Sequence, residues 1–264
     1  MVEIPLEPAR LWLIGGTQES AVLAQALVLE GVPCTVSVTT PSAASLYPVA
    51  STLRVWVGQL TAATLPEFLD QENIGAILDA SHPFAVEISR LAIATADLRP
   101  YLRFERAEVA RDLEAESGIV PMATLDDLLA TSYLEGHRAL LTLGYRWLEP
   151  FRIWQQRAVL FARILPSPVA LNAALQAGFT PDRLIALRPP VSEALEQALW
   201  QQWQITCVVT KASGAPGGEE TKRRVAQALG IPLVVLQRPN VAYPQQTESL
   251  SAALEFCRRS VVTH

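Results

Sequence analysis

The chain of 264 residues holds only two lysines, three histidines and three cysteines. Cys34, Cys207 and Cys257 are an odd number without metal-ligand spacing, which argues against a disulfide framework and fits free thiols in a reducing compartment. Charged residues are scarce, at 18%, while half the residues are hydrophobic, so a disordered chain is not expected. No apolar run approaches the ~20 residues that a membrane span needs. The first ten residues, MVEIPLEPAR, carry acids where a secretory leader would be basic. The expectation is a cytoplasmic protein with no membrane partner. A net charge of −5 argues against nucleic acid as the main partner. No paired metal ligands are visible, so no metal is expected, and no nucleophile elbow suggests a Ser-His-Asp triad.

What is present is a rhythm of apolar strands and helical stretches. Strands are predicted at 10–16, 33–40, 53–58, 74–80 and 101–106. Helices are predicted at 19–31, 64–73 and 83–98, the last opening with Ser81 as its cap and Pro83 in its first turn. A poorly patterned stretch, 107–121, reads as a linker. The rhythm then resumes, with helices at 125–134, 169–178, 191–203 and 219–230, strands at 138–144, 158–165, 183–189, 205–214 and 232–239, and a closing helix at 247–260. Alternation of this kind predicts an α/β fold with two Rossmann-like, doubly wound parallel sheets facing a central cleft. The expected domains are 1–112, which would bind a dinucleotide, and 121–264, with the final helix packing back on the first domain. Ligands of such sheets sit at the carboxyl ends of the strands.

Charge is uneven along the chain. Residues 1–120 hold 7 Lys+Arg and 15 Asp+Glu, a balance of −8, and residues 121–264 hold 14 and 11, a balance of +3, summing to −5. The second half is therefore the candidate for an anionic ligand. Arg146 and Arg163 lie near its strand ends, and an arginine fork reads carboxylates bidentately.

Three further stretches could carry chemistry. In LIGGTQES (13–20) a strand ends in Gly15-Gly16-Thr17 and a helix starts at once, a geometry suited to a pyrophosphate although the G-x-G-x-x-G fingerprint is missing. About twenty residues on, SVTTPSA (37–43) offers the hydroxyls of Thr39 and Thr40 and no acid. Hydroxyls can accept a 2′-phosphate and an acid would repel it, so the pattern leans towards NADPH. In ILDASHPFAVEIS (77–89) His82 stands where a strand hands over to a helix, as a turn residue or as a donor to a bound ligand. In TKASGAPGGEETK (210–222) a glycine-rich loop follows Lys211, and its amides could form an anion nest or a plain strand–helix loop.

These stretches, in this order, together with LRFER, LTLGY and ARILP, resemble the precorrin-6A (cobalt-precorrin-6A) reductases of cobalamin biosynthesis. DASHPFA and KASG followed by GG are the most specific. The resemblance covers nearly the full length. It implies an oxidoreductase that uses NADPH to add a hydride and a proton across the C18–C19 double bond of a tetrapyrrole polycarboxylate, giving precorrin-6B. Carried over by position, Gly15, Gly16 and Thr17 would hold the cofactor phosphates, and Ser81, His82 and Pro83 would lie beside the nicotinamide. Arg163, Lys211, Ser213 and Gly214 would lie on the substrate side. Many members have an arginine after the second strand, where this chain has Pro41 or Ser42. A monomer is expected. Two other classes fit a pair of such domains: a nucleotide-sugar transferase, and a tetrapyrrole-binding protein without turnover.

Overall fold

The computed structural model describes residues 8–105, 118–214 and 217–261. The chain divides into two units, residues 1–107 with 240–264, and residues 108–239.

In the first unit the elements run β1 (Arg10–Ile14), α1 (Gln18–Leu29), β2 (Cys34–Val38), α2 (Pro41–Ala44), β3 (Leu53–Val57), α3 (Leu65–Gln71), β4 (Ile74–Asp79), α4 (Val86–Ile93) and β5 (Tyr101–Phe104). The second unit holds β6 (Ile119–Met122), α5 (Leu125–Ala130), β7 (Arg138–Leu141), two 3-10 stretches at Tyr145–Trp147 and Glu149–Gln156, β8 (Val159–Ile164), α6 (Pro168–Gln176), a third 3-10 stretch at Pro181–Arg183, β9 (Leu184–Ala186), α7 (Glu193–Gln202), β10 (Cys207–Lys211), α8 (Glu219–Leu229) and β11 (Leu233–Leu236). The chain then returns to the first unit as β12 (Gln246–Thr247) and α9 (Leu250–Val261).

Each unit is built on a six-stranded sheet, ordered β3-β2-β1-β4-β5-β12 in the first and β9-β8-β7-β10-β11-β6 in the second. All ten strand pairings are parallel. The two orders follow one plan: three strands run outward from the centre, the order reverses, and two more run the other way. Only the sixth strand differs in origin. In the second unit β6 precedes the central strand in sequence, whereas in the first unit β12 arrives after the whole second unit.

Parallel strands must be covered on both faces, and the sequence of β1 shows why they can be. All five of its residues are buried, and alternation sends Leu11 and Leu13 to one face and Trp12 and Ile14 to the other. The first pair packs with Leu23, Leu27, Ala253 and Cys257 from α1 and α9. The second packs with Phe68, Leu69 and Ala92 from α3 and α4. In the second unit Leu140, Val208 and Val235 pack under Trp200 of α7 and Val225 of α8.

The structure moves several boundaries. The helix expected from Pro83 starts at Val86, and its cap residue Ala85 makes no side-chain cap bond. Ser81 is thus not a helix cap. The expected linker 107–121 lies mostly outside the described residues, but its end is the edge strand β6. Pro121 is tolerated there because an edge strand has one side without a ladder. The 3-10 stretches and the two-residue β12 were not expected. Arg54, the basic residue nearest the end of β2 in sequence, pairs in register with Thr35 at the amino end of that strand and lies 3.6 Å from Glu72. It therefore faces away from the carboxyl ends. No helix among the described residues is long and apolar enough to cross a membrane.

Candidate active site

In the first unit the strand order reverses between β1 and β4, which is where an open α/β sheet leaves a crevice at its carboxyl end. The turn after β1 is closed by partners within the protein. Gly15 N–H donates to the Ser37 carbonyl (3.0 Å), and Gly16 N–H donates to the Tyr47 hydroxyl (2.6 Å). Thr17 caps α1. Its Oγ1 accepts from Ser20 N–H (3.1 Å) and donates to the Ala80 carbonyl at the end of β4 (2.9 Å). Ser20 Oγ donates to the Thr17 carbonyl (2.7 Å) and accepts from Thr17 N–H (3.0 Å). Its single proton is thereby placed, so the 2.7 Å contact with Tyr47 is a donation from the tyrosine. Burial pushes the Tyr47 phenol up from its ordinary value, which keeps it protonated for that bond. A Cβ on Gly15 would lie 2.3 Å from Tyr47 Oη. The glycine is thus required by Tyr47.

The expected phosphate holders Gly15, Gly16 and Thr17 therefore have partners for their N–H groups within the protein. Gln18 and Glu19 are the first-turn residues of α1 whose N–H groups the capping box does not answer. At the end of β2, Thr40 Oγ1 accepts from Ala43 N–H (3.3 Å) as the cap of α2, and Thr39 beside it is exposed.

Across the crevice, β4 ends in Asp79, which is wholly buried. Its Oδ1 accepts from Ser81 N–H (3.0 Å) and from Arg103 Nη1 (2.8 Å), and its Oδ2 accepts from Ser89 (2.6 Å) and Tyr101 (2.8 Å). Arg103 is also wholly buried. Burial by itself would lower its pKa, but the carboxylates of Asp79 and Glu105 hold the guanidinium above its ordinary range. Burial and the neighbouring Asp79 push the Tyr101 phenol far up. Above this network sits the turn bearing His82 and the buried Pro83. Phe84 N–H donates to His82 Nδ1 (3.2 Å). A neutral ring in that bond carries its proton on Nε2, the edge turned away from its own turn.

The second unit has its own reversal point, between β7 and β10. Arg146, in the 3-10 stretch after β7, lies over the Tyr145 ring at 5.8 Å. Lys211, the last residue of β10, lies over the Trp147 ring at 5.2 Å. Arg163 is held by the buried carboxylate of Glu196, whose other oxygen accepts from Trp200 Nε1 (3.1 Å). Glu219, in the first turn of α8, accepts from Gly214 N–H (2.9 Å) and from Arg223 (2.8 Å). Lys222, also buried, donates to the Gly217 carbonyl (2.7 Å). The glycine loop is thus bracketed by a carboxylate on one of its amides and an ammonium on one of its carbonyls. A Cβ on Gly217 would meet Ser213 Oγ at 1.8 Å.

Five cations, Arg146, Arg163, Lys211, Lys222 and Arg223, here meet two acids, Glu196 and Glu219. The surplus is felt. Burial, then Arg146, pushes Lys211 down to about 8. Burial, then Arg163, pushes Lys222 down to about 8 against the pull of Glu196 and Glu219. A partly desolvated cluster with excess positive charge favours an anion.

Sequence reasoning named Arg146, Arg163, Lys211, Ser213 and Gly214 in this region, and the structure brings all five to the carboxyl side of the second sheet. It did not name Lys222, Glu196 or Glu219 as site residues, nor Asp79, Arg103 and Tyr47 in the first unit. Arg103 was visible in LRFER, but Tyr47 follows its glycine turn by thirty residues with no pattern to mark it. Among the described residues, no group of three His, Cys, Asp or Glu could hold a metal.

Comparison with known proteins gives one consistent result. The family described as precorrin-6x reductase CbiJ/CobK matches residues 10–258. The cobalt-precorrin-6A reductase of Synechocystis sp. is 51% identical over 254 residues, covering 95% of this chain and 97% of that one. The precorrin-6A reductase of Rhodococcus erythropolis is 32% identical, covering 91% and 93%. Among solved structures, CobK precorrin-6A reductase has the same fold, with a TM-score of 0.74 at 24% identity and coverage of 96% and 97%.

Proposed function

The chain belongs to the precorrin-6x reductase (CbiJ/CobK) family, and from that premise we propose that it is a cytoplasmic precorrin-6A reductase of cobalamin biosynthesis. In this reading NADPH is the reductant and the C18–C19 double bond of a precorrin-6A-type macrocycle is the bond reduced. The observation that carries it is 51% identity to a cobalt-precorrin-6A reductase over nearly the whole of both chains.

The residues present suit such a cofactor. The first unit offers a reversal point with a capped helix N-terminus, and the end of β2 carries no acid to repel a 2′-phosphate. The N-terminal turn of α1, at Gln18, would take a phosphate, Thr39 and Thr40 would border the 2′-phosphate, and Ser81, His82 and Pro83 would border the nicotinamide. When bound, the nicotinamide supplies a hydride. The balance of the reduction is that hydride on one carbon of the double bond and a proton on the other. His82 presents Nε2–H as a donor, either to hold a ligand oxygen or to pass a proton.

The second unit would hold the macrocycle by its carboxylates. Lys211 and Arg146 lie at the rim of the cationic cluster, while Arg163 and Lys222 tune it from beneath. Carboxylates placed there would favour the charged form of both lysines, which burial first and the neighbouring cations second push down. The task of these residues is orientation: a ring held by several charged pairs offers one bond to the reductant.

Thermal shift tests the reading. NADPH at 100 times its dissociation constant should add about 2.7 kcal/mol of stability, with UDP adding none. Spectroscopic loss of NADPH on adding the macrocycle should follow. A shift from UDP with none from NADPH or NADH would point to a nucleotide-sugar enzyme.

A further inference from the structure

The turn that carries His82 is not secured by the helix it leads into. Ala85, at the head of α4, makes no side-chain cap bond. The turn is instead gripped from below, through Ser81. Ser81 N–H donates to Asp79 Oδ1 (3.0 Å), Arg103 Nη1 donates to Ser81 Oγ (3.0 Å), and Arg103 Nη2 donates to the Ser81 carbonyl (3.1 Å). One guanidinium thus holds both oxygens of Ser81, while its acid partner holds the nitrogen. Arg103 is itself fixed on all sides: Nη1 to Asp79, Nε to Glu105 Oε2 (2.9 Å), and its face under the Tyr243 ring at 5.2 Å. Ser89 donates to the other oxygen of Asp79 (2.6 Å).

A buried ion pair is weak evidence for stability, because an apolar pair of similar volume often serves as well. Its use lies in direction. We propose that the Asp79–Arg103 pair, closed over by Tyr243, is a positioning device that sets the Ser81–His82 peptide and so fixes where the His82 ring stands and which tautomer it holds. Arg103 is wholly buried and acts on the turn through Ser81. Lysine cannot replace it, since an ammonium lacks the planar fork that reaches Asp79, Glu105 and both Ser81 oxygens together. The inference rests on the reading of His82 as a site residue.

The test is Arg103→Lys in the full chain, read two ways. Nitrogen-15 spectra of the His82 ring, taken without nucleotide, should show one Nε2–H form in the wild type and a mixture in the variant. Turnover should fall tenfold to a hundredfold, the scale expected for a misplaced reacting group, with KM for NADPH little changed. Should Arg103→Lys fail to fold, Tyr243→Leu, at a half-buried site, carries the same readouts. An unchanged ring spectrum and unchanged turnover, with only a lower melting temperature, would overturn the proposal. Full activity in His82→Ala would sink the role of His82 in the reaction, and the ring spectrum would still decide whether Arg103 positions it.

Discussion

Lys222 is a charged residue in a place where charge is costly, and its titration is a direct probe of the cationic cluster. In the unfolded chain it keeps the ordinary lysine pKa of 10.5, while burial, with Arg163 nearby, pushes it to about 8 in the fold. Between those values the unfolded chain holds the proton that the native protein has lost, so native stability rises with pH over that window. Below about 8 both states are charged and the full penalty is present. The difference in unfolding free energy, wild type minus Lys222→Met, is therefore expected to increase from pH 8 to 10.5 in urea titrations, and a flat difference would refute the assignment. A bound polycarboxylate favours the charged lysines, so its affinity should fall as pH rises through about 8. Such residues are hard to read from sequence. Lys211 and Lys222 were noticed because only two lysines exist, but their mutual proximity, and the acids that temper them, come from α7 and α8 meeting under one loop. His82 was legible by its place at a strand end; the buried charges beneath it were not.

Helix ends were the least legible elements, and α1 shows what holds one. Thr17 joins the helix to the neighbouring strand, accepting from Ser20 and donating to Ala80 at the end of β4. Thr17→Ala should cost about 1–2 kcal/mol, the upper range for a cap, since a buried carbonyl also loses its donor. In a chain of this size that is a drop of a few degrees in melting temperature, about 2–4 °C per kcal/mol. Thr17→Ser should restore most of it. Buried strands announced themselves, β1 and β4 as apolar runs bounded by turns and β2 by its β-branched residues. β12 has two residues and no period to detect, and β6 contains a proline that demotes any strand reading. The start of α4 was misplaced because Ser81 and Pro83 imitate a cap and first turn, whereas Ser81 answers to Arg103.

At the scale of the molecule, the doubly wound plan was legible because two parallel sheets need near-continuous apolar strands alternating with helices, and both halves show that rhythm. The return of the last segment to the first sheet was anticipated only for its helix. Ending the chain after Pro239 should therefore leave the second unit with its own cooperative unfolding and deprive the first of β12, Tyr243 and α9. That helix buries Ala253, Cys257 and Val261 in the first unit's core, and a side chain of valine's size alone is worth about 1.5–3 kcal/mol when buried. Limited proteolysis should then cut within residues 8–105 while sparing 119–236. Resistance of both segments would contradict the division.

The late arrival of β12 also orders events during synthesis. All six strands of the second sheet lie within residues 119–236, so that unit has its complete set while the tail of the chain is still being made. The first unit, though translated earlier, leaves the outer edge of β5 open until Gln245 and Thr247 accept from the N–H groups of Arg103 and Glu105. At roughly 5–20 residues per second, the wait is some seconds to tens of seconds. The His82 turn, gripped by Asp79 and Arg103, is thus closed over by Tyr243 only after the whole second unit has been made.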